Sequence, residues 1–395
     1  MLDLNKHILN TDIQEFIHSN LKSDIPKLLL KGVDFTEVNV QDIIEQIEAK
    51  NRSLKKLPTW FKTKNIYYPN KLNIEQTSSE ITAKFKSELI SGNSIIDLTG
   101  GFGIDCYYFS KRFKNVTHCE INPSLSAIVN HNYEQLKIEN ITTYIGDGLA
   151  YLKESKNKFD WIYIDPSRRH DSKGKVFFLS DCLPNVPKNL ELLFSHSNSI
   201  LIKTSPLLDL TIGINELQHV KTIHIIALNN EVKEILWVLN RDFTEETSIK
   251  TVNLKKNDIE IFNFLLSDEK LAEPIYSEPR SYLYEPNAAL LKAGAFESVS
   301  KRLNIFKLHK HSHLYTSDAI IEFPGRRFRI EKTLLYNKKE IKKLGLSKAN
   351  VTTRNFPETV QNIRKKFKIK DGGNFFLFFT TNNNNEKIIL ICTKL

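Results

Sequence analysis

The chain has 395 residues, 41% apolar and 26% charged, with a net charge of +10, which gives room for two or three domains with real hydrophobic cores. No run approaches the ~20 apolar residues of a membrane span, and the acid-containing N-terminus MLDLNKHILNTDIQEFIHSN lacks a small-residue cleavage site, so no membrane helix or signal peptide is expected. Cys106, Cys119, Cys182 and Cys392 form no CxxC pair, which argues against a zinc centre or a disulfide scaffold and for a reducing, cytoplasmic setting.

Residues 1–57 read as helical. Asp12 is placed to cap a helix with Ile13, Phe16 and Ile17 on one face, and Ile43, Ile44 and Ile47 repeat that spacing. LPTWFKTKNIYYPNKL then breaks the periodicity with two prolines and reads as an irregular connector. Thr77 to Glu80 fits a capping box, opening a helix with Ile81, Phe85 and Leu89 inward and Gly92 near its end. From Ser94 the apolar runs SIIDL, NVTHCEI, ITTYIGD, FDWIYIDP and NSILIKTSP alternate with helical stretches. That grammar predicts an α/β fold, a parallel sheet covered on both faces. TIHIIALNN and VKEILWVLN follow as an antiparallel hairpin around Asn-Asn. Residues 246–276 read as a connector containing strands of uncertain placement. From Ser277 a small α+β domain is expected: a helix with Pro286 near its start, AIIEF, RRFRIEKTLLY, a lysine-rich helix, KANVTTRNF, a helix after Pro357 and a closing hairpin. The divisions are 1–73 (helical), 74–245 (α/β), 246–276 (connector) and 277–395 (α+β).

The strongest local signal is Asp97-Leu-Thr-Gly100-Gly101-Phe-Gly103, a strand-to-helix turn whose glycines let a ligand approach the backbone. Glu120 ends the next strand, where a carboxylate can accept from both hydroxyls of a ribose. Asp147, in Gly-Asp-Gly, ends the third strand and could accept from an adenine amino group. Asp165 ends the fourth, in Asp-Pro-Ser-Arg168-Arg169. Any one of these acids could be a helix cap; four at successive strand ends line one crevice.

In DLTGGFG, the strand-end Glu120, GDG, DPSRR and the terminal hairpin, residues 74–240 resemble the class I methyltransferases, whose sheet is Rossmann-like with an antiparallel terminal hairpin. LPTWF, EQTSSE, YLYEPNAALLKAG, KANVTTRNFP and KIKDGGNFFLFFTT extend the likeness over nearly the whole chain, to bacterial methyltransferases with a C-terminal THUMP-like domain. The resemblance implies that Asp97, Gly100, Gly101 and Gly103 cradle the methionine part of S-adenosylmethionine, that Glu120 holds the ribose, and that Asp147 lies near the adenine. It also implies RNA, tRNA or rRNA, as the substrate.

Methyl transfer is an in-line displacement that needs positioning. Asp165 is a candidate to orient an exocyclic amine. Amino-methylating relatives carry an aromatic after DPP, where this chain has Ser167 and Arg168; Arg168 could stack on a base or bind phosphate, or pair with Asp171. Lys203 and Ser205 end the fifth strand and could face the site, and Gln76 could touch the cofactor. Cys182, Cys106 and Cys119 read as packing residues rather than nucleophiles. His309, His311 and His313 alternate but have no acid or cysteine partners, so a polar surface is preferred to a metal site.

From Arg326 to Lys370 there are 15 Lys/Arg against 3 Glu, a net of +12, leaving −2 for the rest of the chain. That local excess points to an anionic partner, with Arg326, Arg327, Arg329, Lys365 and Lys366 (and Arg168 and Arg169 in the core) as candidate RNA contacts. The resulting expectation is methylation of an RNA base. The alternatives are a non-catalytic RNA-binding protein on a methyltransferase core and a methyltransferase of proteins or small molecules. A nicotinamide oxidoreductase would also use the glycine turn and Glu120, but Cys106 stands where the third glycine of GxGxxG belongs.

Overall fold

The structure is a computed structural model that describes residues 4–33, 35–168 and 178–395. The chain forms two compact units, Met1–Val220 with Leu236–Thr244, and Lys221–Ile235 with Glu245–Leu395.

The first unit opens with α1 (Thr11–Ser19), α2 (Ile25–Lys31) and α3 (Val40–Lys56). Ile13, Ile17, Ile43, Ile44 and Ile47 are buried together, as their spacing predicts. The cap of α1 is Asn10; Asp12 sits inside the first turn, facing the positive end of the helix dipole. The stretch expected to be irregular carries α4 (Pro58–Lys62) and α5 (Lys71–Gln76). Proline is tolerated at the start of α4 because the N–H it lacks has no helical partner there. Trp60 is buried edge-on against Tyr107, ring centroids 4.7 Å apart.

The next helix, α6 (Glu80–Glu88), is capped by Ser79, whose hydroxyl accepts from the Thr82 N–H at 3.2 Å; Thr77 instead closes α5. Ile81, expected inside, is 53% exposed, while Thr82, Ala83, Lys86 and Ser87 face the interior. Polar anchoring sets this rotation. Glu80 accepts from the Thr59 N–H (2.6 Å), the Thr59 hydroxyl (2.7 Å) and the Tyr108 hydroxyl (2.9 Å), so LPTWF and EQTSSE are tied to each other through one carboxylate.

Strands and helices then alternate: β1 (Ser94–Asp97), α7 (Ile104–Phe109), β2 (Asn115–Glu120), α8 (Pro123–Gln135), β3 (Ile141–Ile145), α9 (Gly148–Glu154), β4 (Trp161–Ile164), the short antiparallel pair β5 (Ser167–Arg168) and β6 (Cys182–Leu183), α10 (Leu190–His196), β7 (Ser199–Thr204), α11 (Leu210–Glu216), β8 (Val220–Leu228) and β9 (Glu231–Asn240). Within this unit the order is β3–β2–β1–β4–β7–β9, the first five parallel. The chain runs outward from β1 and returns to its other side at β4, creating a switch point at the carboxyl ends of β1 and β4.

The second unit takes β8 from Lys221 and the first part of β9, which meet at Asn229 and Asn230, both left-handed (φ 50° and 67°), the geometry a two-residue hairpin turn requires. The expected connector 246–276 is structured: β10 (Ser248–Leu254) pairs parallel with β8 and antiparallel with β11 (Ile259–Leu265), and α12 (Leu266–Leu271) follows. Then come β12 (Tyr282–Pro286), α13 (Ala288–Ala293), α14 (Glu297–Leu303), β13 (Phe306–Lys307), β14 (Tyr315–Ser317), β15 (Gly325–Leu335), α15 (Lys338–Lys343), β16 (Asn350–Thr353), α16 (Val360–Phe367), β17 (Phe375–Thr381) and β18 (Lys387–Lys394). Seven of these strands form a sheet in the order β13–β14–β12–β15–β18–β17–β16.

Two expectations fail here. The single helix after Pro286 is two, because Gly294 adopts a left-handed conformation (φ 71°) that ends α13, and Pro286 itself closes β12. AIIEF is not a strand: the Tyr284 hydroxyl donates to the Ala319 carbonyl (2.9 Å) and accepts from the Ile321 N–H (3.2 Å), holding the segment irregular.

Candidate active site

The glycine turn follows β1 directly. Asp97 is 1% exposed and its Oδ1 accepts from the Thr99 N–H (2.9 Å) and hydroxyl (3.2 Å), while Cys106 Sγ lies 3.4 Å from Oδ2. Burial pushes Asp97 up to about 7, with the Thr99 and Cys106 hydrogen bonds opposing. Its carboxylate therefore braces the turn from inside. Gly101 and Gly103 are left-handed (φ 55° and 76°), and a Cβ on Gly100 would lie 2.2 Å from His118 Nε2. That imidazole is wholly buried under the turn, makes no well-aligned hydrogen bond at either nitrogen, and is driven down to about 4 by burial, which the adjacent backbone of Gly100 and Gly101 offsets slightly. Nothing in the sequence marked His118 beyond its place on an apolar strand.

Glu120 lies at the end of β2 with both carboxylate oxygens anchored: Oε2 accepts from the Gly101 N–H (2.9 Å) and Oε1 from the Asn122 N–H (2.7 Å). The next residue, Ile121, is 70% exposed, an apolar side chain open to solvent beside a fixed carboxylate. Asp147 caps α9, Oδ1 accepting from the Leu149 N–H (2.7 Å) and the Ala150 N–H (3.3 Å). The capping role weighed for any single acid is thus realised at Asp147.

Asp165 follows β4. Its N–H donates to the Thr99 hydroxyl (2.7 Å), linking it to the glycine turn, and its carboxylate pairs with Lys203 at the end of β7. Lys203 is nearly buried, so the end of β7 is packed against the end of β4 rather than exposed. Beneath lies a second pair that sequence reasoning missed. Lys86, fully buried, is 3.3 Å from Asp105 Oδ1, and Asp105 Oδ2 accepts from the Ser78 hydroxyl (2.8 Å) and the Tyr163 hydroxyl (2.9 Å). Burial alone would raise Asp105; the Lys86 and Lys203 ammoniums and the two hydroxyls outweigh it and hold the carboxyl below its usual range. A lysine in the apolar spacing of α6 was the one available hint.

Arg168 lies on β5, paired in register with Cys182 on β6. Cys182 is buried and raised to about 11, first by burial and then by Asp181 and Glu216, which suits a packing residue rather than a nucleophile. Cys106 and Cys119 are also buried, their thiols pushed well up by burial. Arg169 and Asp171 lie outside the described residues. Gln76 ends α5.

In the second unit the three β15 arginines have different surroundings. Arg326 pairs with Glu285, a carboxylate only 4% exposed, whose other oxygen binds Arg354 at 3.1 Å. Arg327 pairs with Glu322 at 2.8 Å, and Arg329 is exposed. Lys366 is bound to Glu358 (2.9 Å) and Tyr336 (2.8 Å); Lys365 is exposed. The alternating histidines do not share an extended face. Residues 310–312 turn, His309 bonds Asn385 (3.1 Å) and Asn355 (2.9 Å), and His313 stacks on Phe296 with centroids 3.7 Å apart. Among the described residues no group of three His, Cys, Asp or Glu could hold a metal, and no helix is long and apolar enough to cross a membrane.

A parallel sheet in the order β3–β2–β1–β4–β7, with a glycine turn after β1 and an anchored acid after β2, defines a class I methyltransferase fold. The chain is similar over 100% of its length, and of the other chain's, to a crystal structure of a candidate methyltransferase from Porphyromonas gingivalis W83, at 33% identity and a TM-score of 0.90. Residues 282–324 match a ferredoxin-like domain and residues 325–394 a THUMP domain-like family. This chain belongs to the family of class I methyltransferases that carry a C-terminal THUMP-like domain. Two curated proteins are also similar: an RNA methyltransferase of Mycoplasma mobile (29% identity, 42% of this chain and 48% of that protein) and ribosomal RNA small subunit methyltransferase J of Bdellovibrio bacteriovorus (28% identity, 25% of this chain and 41% of that protein). The chain spans less than half the length of these curated relatives.

Proposed function

We propose that this protein transfers a methyl group from S-adenosylmethionine to a base of RNA, tRNA or rRNA. The observation that carries the reading is Glu120, whose two oxygens are fixed by backbone amides while lone pairs remain for two ribose hydroxyls. The turn beside it suits the cofactor: Gly100 and Gly103 let it press closely onto His118 and Tyr133, Gly101 leaves its own Cβ side open, and exposed Ile121 offers an apolar face to an adenine ring. Asp147, held by the start of α9, is the acid nearest in sequence to take the adenine edge. S-adenosylmethionine supplies, when bound, an electrophilic methyl group on a sulfonium.

The remaining chemistry falls to this chain. Asp165 accepts an N–H of the target base and so aims the nucleophile. Lys203 pairs with the Asp165 carboxylate and holds it at the end of β4. Arg168 is the candidate base- or phosphate-contacting side chain at the same edge. The basic C-terminal unit docks the RNA. The names of the curated relatives and the THUMP-like match favour RNA over a protein or small-molecule acceptor.

Calorimetric titration with S-adenosylmethionine, with NADH as the control, tests the cofactor. Binding that Glu120→Ala abolishes, with no response to NADH, is the expected result. Binding of NADH alone would overturn the reading. Incubating the protein with labelled cofactor and total RNA, followed by nucleoside analysis, then tests the acceptor.

A further inference from the structure

The net charge of the segment 326–370 was assigned above to the β15 arginines and the end of α16. The structure divides that charge differently. Arg326 and Arg327 are held by carboxylates. A separate set of cations lies over one face of the C-terminal sheet. Ile341 of α15 and Ile363 of α16 bury into the same cluster as Leu377, Phe379, Ile389 and Ile391, so both helices cover the same side of β17 and β18. Phe378, Ile388 and Leu390 point to the opposite side, into another cluster. With their apolar sides turned in, the two helices present Lys338, Lys339, Lys342 and Lys365 outward, all exposed. Lys348 and Lys370, also exposed, are brought together by a β-bridge at the end of the same lobe. None of these six has a carboxylate within ion-pairing distance among the described residues, whereas their neighbours Lys343, Lys366 and Arg364 do.

The aromatic groups of this lobe point the other way. Tyr336, Phe356 and Phe379 form an edge-to-face cluster with Phe367 beside it; Phe379 lies in the core and the other three pack, partly buried, against it. Phe375 is the one aromatic of residues 325–395 that is exposed. Binding of unpaired RNA normally combines cations with exposed rings on which bases stack. An array of ammoniums without a stacking platform instead suits phosphates, which fix position and carry no sequence information.

We infer that the α15–α16 lysine face docks the phosphate backbone of folded, base-paired RNA without reading its sequence, and that choice of the target base is left to the first unit. This rests on the proposed action on RNA.

The test uses the full chain and two labelled RNA hairpins with unrelated stems, by fluorescence anisotropy across a salt series. Both hairpins should bind alike, and six phosphate contacts should weaken binding about a thousandfold between about 50 and 200 mM salt. Lys342→Glu with Lys365→Glu should flatten the salt slope by about two, with circular dichroism unchanged. Phe375→Ala should leave affinity within about twofold, since no stacked base is lost. Strong preference for one stem, a shallow salt response, tighter binding to polyuridine than to hairpins, a Phe375→Ala loss as large as that of the charge reversal, or binding only to anionic vesicles would each overturn the inference. Calorimetry with S-adenosylmethionine on the same preparation separates the two readings. Cofactor binding without hairpin binding sinks the docking surface alone, and hairpin binding without cofactor binding sinks the methyltransferase reading alone.

Discussion

The two units use charge in opposite ways. In the first, Lys86, Asp105, Lys203 and Asp165 are wholly or largely buried and meet as opposed pairs, each restricted to one geometry. In the second, the lysines of α15 and α16 stand in solvent, several without an ion-pair partner among the described residues. Buried pairs resist salt and act through position; exposed cations attract an anion broadly and are screened within about 10 Å at ordinary ionic strength. The contrast suits a division of labour in which one unit needs precision at a few atoms and the other needs hold over a long polyanion.

The comparison breaks most severely at Lys86. Lys86→Met leaves Asp105 buried with only two hydroxyl donors and the more distant Lys203, and breaking such a pair typically costs about 3–5 kcal/mol. Thermal unfolding should show a large drop in Tm, and Lys86→Met with Asp105→Leu should recover much of it. By contrast, Lys342→Glu, on the exposed face, should move Tm little. Equal losses at the two sites would end the distinction between a positioned interior and a docking surface.

Next in size is Asp165→Ala, expected to lower the methylation rate roughly 100-fold or more while leaving affinity for S-adenosylmethionine largely intact. Loss of cofactor binding with an intact fold would show that Asp165 serves the cofactor instead. Glu120→Ala should do the converse. Removing charged hydrogen bonds to two hydroxyls weakens cofactor binding by roughly 30- to 300-fold, read by calorimetry.

Much of this site was legible in the sequence. A glycine turn after an apolar strand and acids at successive strand ends have positional meaning in a parallel sheet, so Gly100, Gly101, Glu120 and Asp165 could be named before any coordinates. What escaped was anything set by three-dimensional partners. Ile81 looked like core and Lys86 went unremarked because periodicity ranks residues by hydropathy. The helix turned instead to satisfy Glu80 through Thr59 and Tyr108, and Lys86 through Asp105. Arg326 looked like an RNA contact because the carboxylate that holds it, Glu285, lies 41 residues earlier. Composition also could not place the strands within 246–276, since short runs such as SIKTVNL are defined as strands by the neighbours they join.

The smallest effect expected concerns His118, a group in the first unit that is buried without any opposite charge. Its folded pKa is about 4 against an ordinary 6.5, so between those values the unfolded chain binds a proton that the folded chain excludes. Stability contributed by keeping this imidazole neutral is fully present above about 6.5 and is lost as pH falls toward 4. His118→Phe keeps a ring beneath Gly100 and removes the titration, so the variant should lose less stability than the parent on acidification, by about 2 kcal/mol at about pH 5. Denaturant unfolding of both proteins across this range reads the difference directly. Parallel pH profiles would mean that the backbone of Gly100 and Gly101 holds the imidazole more firmly than its geometry indicates, and that the turn over the cofactor site is braced by hydrogen bonding rather than by packing alone.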